Sequence, residues 1–63
     1  MPVVEISLFT GRTAEQKLSA ARAISGALVE HLNATPESVQ VIFRDIPRSD
    51  WVRPADLVES TGA

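Results

Sequence analysis

The 63-residue chain has no cysteine, one histidine (His31), no tyrosine and no run of basic residues. Each shortage excludes something. Without cysteine there can be no disulfide framework and no thiolate metal site. One histidine cannot make a histidine-rich metal cluster. The six Lys and Arg residues are scattered and the net charge is −2, so the chain lacks the basic stripe with aromatic platforms that nucleic-acid binding needs. No apolar stretch approaches the roughly 20 residues of a membrane span. The N-terminal residues lack a basic start followed by a long apolar core, so no secretory leader is expected and a cytoplasmic location is the default.

What remains is a normal globular composition, with 44% apolar residues. At this length the chain is one domain, residues 1–63. A domain so small buries only about 60% of its unfolded surface and needs a disulfide, a metal or a partner. With the first two removed, self-association is the expected remedy.

The pattern of apolar residues gives the elements. Residues 2–9 alternate as a strand, with Val4, Ile6 and Leu8 on one face and Val3, Glu5, Ser7 and Phe9 on the other. Pro2 opens the strand, where no ladder hydrogen bond is interrupted. Thr10-Gly11-Arg12 reads as a turn. Thr13 and Gln16 have the spacing of a capping box, so a helix should run from about Ala14 to Leu32. Its expected apolar stripe is Ala14, Leu18, Ala21, Ile24, Leu28 and Leu32, with Ser25 at the edge. Asn33 should stop it in a left-handed conformation. Pro36 opens a capped single turn. Val39–Ile46 is the second strand: Val39, Val41 and Phe43 share one face, and Gln40, Ile42, Arg44 and Ile46 the other. Pro47 ends it. Residues 48–54 read as a loop or short hairpin arm, and 55–63 as a tail with weak helical potential.

Strand, long helix, strand is an α/β fold: a βαβ unit with two parallel strands and a right-handed crossover. Both strands carry apolar residues on both faces. One helix covers one face, so the other face needs a partner chain.

Met-Pro at the start, Gly-Arg-Thr-x-Glu-Gln-Lys at 11–17, the βαβ pattern and an aromatic residue at 51 coincide in a short chain. Together they resemble the 4-oxalocrotonate tautomerase family in its short-chain form. The resemblance covers nearly the whole chain and is weaker in the tail. It implies a tautomerase fold completed by oligomerisation as a homohexamer, a trimer of dimers. It implies removal of Met1, so that the secondary amine of Pro2 is the catalytic base. The reaction implied is a keto-enol tautomerisation of a 2-hydroxymuconate-like or enolpyruvate-like 2-oxo acid, with no metal and no organic cofactor. Arg12 is implied as the binder of a substrate carboxylate. Trp51 is implied as the apolar wall that keeps the amine dry. At Gln40 the chain departs, because the resemblance puts a second arginine there. Glutamine can donate a hydrogen bond but brings no charge. Arg44 lies on the same strand face, some 13 Å along at about 3.3 Å per residue, too far to replace an arginine at 40 in place.

The chemistry is physically reasonable. A general base works best with a pKa near the operating pH. Burial and a nearby cation both lower an amine's pKa, and Val3, Phe9, Trp51 and Arg12 are the candidates to supply them. Arginine's planar fork suits carboxylates. Gln40 or a backbone N–H can stabilise a developing enolate. Plainer roles stay open. Pro2 can be only a strand opener, Arg12 a solvated turn residue, and Trp51 an interface anchor. Arg44 is better placed for subunit contacts, and His31 for the helix C-terminus. Two other functions compete with tautomerisation. One is hydration or dehalogenation of an unsaturated acid, with a protonated Pro2 as the acid. The other is a non-enzymatic oligomer with a degenerate site.

Overall fold

The computed structural model describes residues 1–55. The tail expected at 55–63 lies outside the described residues from position 56 onward. The elements follow the order strand β1 (Val3–Phe9), helix α1 (Ala14–Leu32), a single 3-10 turn (Pro36–Ser38), strand β2 (Gln40–Ile46) and a second 3-10 turn (Arg48–Asp50).

β1 and β2 pair in parallel, with Val3 opposite Gln40, Ile6 opposite Phe43 and Phe9 opposite Ile46. Val39, expected in the strand, instead closes the preceding turn through its N–H to the Pro36 carbonyl. Period-two alternation sorts the sheet. Val4, Ile6, Leu8, Val41 and Phe43 are half-buried, while Val3, Glu5, Ser7, Phe9, Gln40, Ile42 and Arg44 are exposed.

Helix α1 is terminated as its sequence dictates. The Thr13 hydroxyl accepts from the Gln16 N–H at 3.0 Å, and the Gln16 side-chain oxygen accepts from the Thr13 N–H at 2.9 Å. That reciprocal pair satisfies two donors the helix start would otherwise leave open. At the other end Asn33 adopts φ 60°, and its N–H reaches back to the Leu28 carbonyl. Between β1 and α1 the chain turns at Gly11, whose φ of +131° an L side chain rarely adopts.

The helix stripe differs from the expected one. Ala21, Ile24 and Leu28 are half-buried as expected, joined by Lys17, Ser25 and Val29. Ala14, Leu18 and Leu32 are exposed, Leu18 by 51% and Leu32 by 65%. The sheet has only two strands, so it supports a strip about one side chain wide. Lys17 claims one end of that strip, because its Nζ pairs with Asp45 Oδ2 at 2.7 Å. The Lys17 stem covers apolar surface while its head reaches the carboxylate.

Among the described residues none is fully buried, apolar or polar. Val3, Leu18, Ile42 and Val52 are all exposed by more than two-fifths. An isolated domain without a core lacks the apolar burial that offsets chain entropy. The fold therefore presents two kinds of uncovered apolar surface: the outer sheet face and the flank of α1. No helix among the described residues is long and apolar enough to cross a membrane.

Candidate active site

Parallel pairing sets Gln40 beside the start of β1. The Gln40 N–H donates to the Pro2 carbonyl at 3.0 Å. Pro2 is half-buried there, immediately before the first residue of β1. It lines an open depression of about 540 Å³ with Met1, Leu32, Asn33, Ala34, Thr35 and Ser38. The depression forms because α1 runs antiparallel to the strands and ends next to Pro2. The left-handed Asn33 then swings the chain away towards β2. Met1 is 82% exposed at its edge. Pro2 and Gln40 are thus brought together within one chain.

Arg12 and Trp51 are at the opposite end. The Thr10 N–H donates to the Ile46 carbonyl at 3.1 Å, stitching the turn after β1 to the end of β2. Arg12 follows that turn and is exposed, immediately before the helix cap Thr13. Pro47 ends β2, and the chain closes a 3-10 turn in which the Trp51 N–H donates to the Arg48 carbonyl at 3.1 Å. This turn occupies Arg48–Asp50 of the loop expected over 48–54, and residues 51–53 follow it without regular structure. The turn aims two side chains at Phe9. The Trp51 ring lies 4.8 Å from the Phe9 ring, tilted by 51°. The Arg48 guanidinium sits 4.2 Å from the centre of the Phe9 ring, a cation–π distance.

Seven strand residues, Val3–Phe9, separate the two ends. At about 3.3 Å per residue that is about 23 Å. A base must lie within about 3 Å of the proton it takes. Pro2 therefore cannot serve a substrate held by Arg12 and Trp51 of its own chain. Of the surroundings expected for Pro2, its own chain places Val3 beside it, whereas Phe9, Trp51 and Arg12 are at the other end of the sheet.

Several other cations are placed as follows. Arg44 pairs with Glu5 across the outer sheet face, between the two strands. Lys17 is held by Asp45. Arg22 is on the helix. Arg12 and Arg48 have no carboxylate partner among the described residues. Arg48 was not singled out by sequence. Its signal was there in principle: it lies two residues beyond Ile46, and Ile46 is opposite Phe9. The strand register has to be known before that signal can be read.

Comparison with known proteins fits this geometry. Residues 2–60 match the family model described as tautomerase enzyme. A probable tautomerase of Ralstonia nicotianae is 43% identical over 51 residues, covering 81% of this chain and 78% of that protein. A 2-hydroxymuconate tautomerase of Comamonas testosteroni is 35% identical over 51 residues, 81% of each. Among solved structures, a 4-oxalocrotonate tautomerase isozyme from Methylibium petroleiphilum superposes with a TM-score of 0.79 at 26% identity, covering 98% of this chain and 100% of that one. A heterohexameric 4-oxalocrotonate tautomerase from Chloroflexus aurantiacus gives 0.78 at 30% identity, covering 86% and 87%. With its βαβ fold and a proline at the head of β1, this chain belongs to the 4-oxalocrotonate tautomerase family.

Proposed function

We propose that the chain is a cofactor-independent tautomerase of 2-hydroxymuconate-like or enolpyruvate-like 2-oxo acids, with Pro2 as general base once Met1 is removed. The observation that carries this reading is the position of Pro2. Its carbonyl accepts from the Gln40 N–H, and the residue lines the depression at the sheet mouth. Removing the exposed Met1 converts the Pro2 nitrogen from an amide into a secondary amine. That amine takes a proton from the hydroxyl or carbon of the bound acid and returns it at the other end of the conjugated system. A carboxylate clamp anchors the acid, and Gln40 donates a hydrogen bond to the developing enolate.

The site is assembled between copies. One copy contributes Pro2 and Gln40; another contributes Arg12 and Trp51 from the far end of its sheet. The 23 Å separation requires this if the four residues act on one molecule. The uncovered sheet face and helix flank supply the surface for assembly, and a hexamer arranged as a trimer of dimers is the proposed state. The heterohexameric relative supports it.

The test is turnover of 2-hydroxymuconate followed by ultraviolet absorbance. Intact mass first establishes that Met1 is absent. Pro2→Ala keeps an amine but loses the ring's placement and its secondary nitrogen. It is expected to lower kcat about 100-fold or more, the usual loss for a general base, with the oligomer intact by sedimentation. Unchanged turnover in that variant rules the reading out.

A further inference from the structure

We propose that Arg48 is a second carboxylate-binding residue, supplying the cation that Gln40 does not. This rests on the reading of the chain as a tautomerase of 2-oxo acids. Three observations carry it.

First, Arg48 is oriented. Its guanidinium lies 4.2 Å from the centre of the Phe9 ring, and Phe9 is braced by Trp51 at 4.8 Å. With its central carbon over the ring, the guanidinium still has N–H groups available to another partner. Such donors are the ones that pair bidentately with a carboxylate.

Second, Arg48 is unspent. Arg44, the other strand-associated candidate for a missing cation, is committed to Glu5. Lys17 is committed to Asp45. Arg48 makes no ion pair among the described residues.

Third, Arg48 shares its end of the fold with Arg12. The Thr10–Ile46 hydrogen bond joins the two turns, and each arginine lies two residues beyond it. The apolar pair Phe9–Trp51 is at the same end. Two guanidiniums beside an apolar surface match a short, flat, conjugated acid with a carboxylate at each end. Arg12 takes one carboxylate and Arg48 the other, while the Pro2 of another copy addresses the carbons between them. Arg48 thus sets the preference for dicarboxylates over monocarboxylates.

Trp51 is the chain's one tryptophan, so its fluorescence reports binding at this cluster without any turnover. The probes are muconate, a six-carbon dienoate with two carboxylates, and sorbate, a six-carbon dienoate with one. Neither has the 2-hydroxyl that tautomerisation needs. Wild type, Arg48→Ala and Arg48→Lys are titrated with both, at oligomer states matched by sedimentation. Arg48→Ala is expected to weaken muconate binding about tenfold or more, the scale of a hydrogen bond to a charged group. Sorbate binding should change by less than about threefold, and Arg48→Lys should recover part of the muconate affinity. Absence of saturable muconate binding to wild type overturns the proposal. So does unchanged muconate binding in Arg48→Ala. Equal losses for both acids without rescue by lysine also overturn it, because they assign Arg48 a purely packing role. Failure of the base reading looks different: Pro2→Ala would keep full turnover while muconate binding still depended on Arg48.

Discussion

The backbone N–H of Gln40 donates to the carbonyl of Pro2 at 3.0 Å, so the residue that departs from the family's pattern is bonded to the residue proposed as base. The bond is made by the main chain and is open to any residue at 40 except proline, which has no N–H. The side chain is therefore free to vary, and glutamine itself brings no charge to this end of the sheet. Gln40→Arg should raise kcat/KM for 2-hydroxymuconate about tenfold, since a charged donor is worth about 1 kcal/mol more than a neutral one. Steady-state kinetics checks this. A loss of activity would mean that Gln40 makes a contact arginine cannot.

The outer sheet face predicts the energetics of assembly. Ile42 is 43% exposed in the single chain and sits between Gln40 and Arg44 on that face. Ile42→Asp places a charge where a partner must pack, and burying it unpaired costs several kcal/mol. Sedimentation should show dissociation at micromolar concentration, with loss of the helical circular dichroism signal. Retention of the oligomer would show that this face is not an interface.

Glu5 and Arg44 form an ion pair on the same face. On a solvated surface such a pair contributes about 0–1 kcal/mol. If assembly covers it, removing one partner leaves a buried unpaired charge and costs about 3–5 kcal/mol. A double-mutant cycle on Glu5→Ala and Arg44→Ala, read as chemical unfolding of the oligomer, should give the larger coupling.

The helix cap is a local matter and gives a local prediction. Thr13→Ala removes the hydroxyl that accepts from Gln16 and should destabilise the fold by about 1 kcal/mol. Thermal unfolding measures it. Arg12 adjoins the cap, so the variant should raise KM more than it lowers kcat.

Much of this was legible in the sequence, for reasons visible in particular residues. Thr13, Gln16 and Asn33 act through their own backbone neighbourhoods, and each does what its type and spacing imply. The strands follow from alternation alone. The helix stripe was less legible, because which apolar residues are covered depends on how α1 sits over a sheet only two strands wide. Leu18 and Leu32 belong to the apolar pattern but lie beyond the sheet's reach. The residues proposed for the site can be named from the sequence, but their geometry cannot. Nothing in the spacing of Pro2, Arg12, Gln40 and Trp51 shows that two lie at each end of the sheet. The parallel register decides that, and it also brings Arg48 to Phe9.

The central claim is that the Pro2 nitrogen is a neutral amine when substrate arrives. Its most direct test is a nitrogen NMR titration of Pro2 labelled with nitrogen-15, in the assembled protein, beside the pH profile of kcat/KM. The amine is expected to titrate below the ordinary range of a prolyl nitrogen, with the same midpoint as the rising limb of activity. An amine still cationic where activity is maximal, or a nitrogen that does not titrate because Met1 is retained, would contradict it.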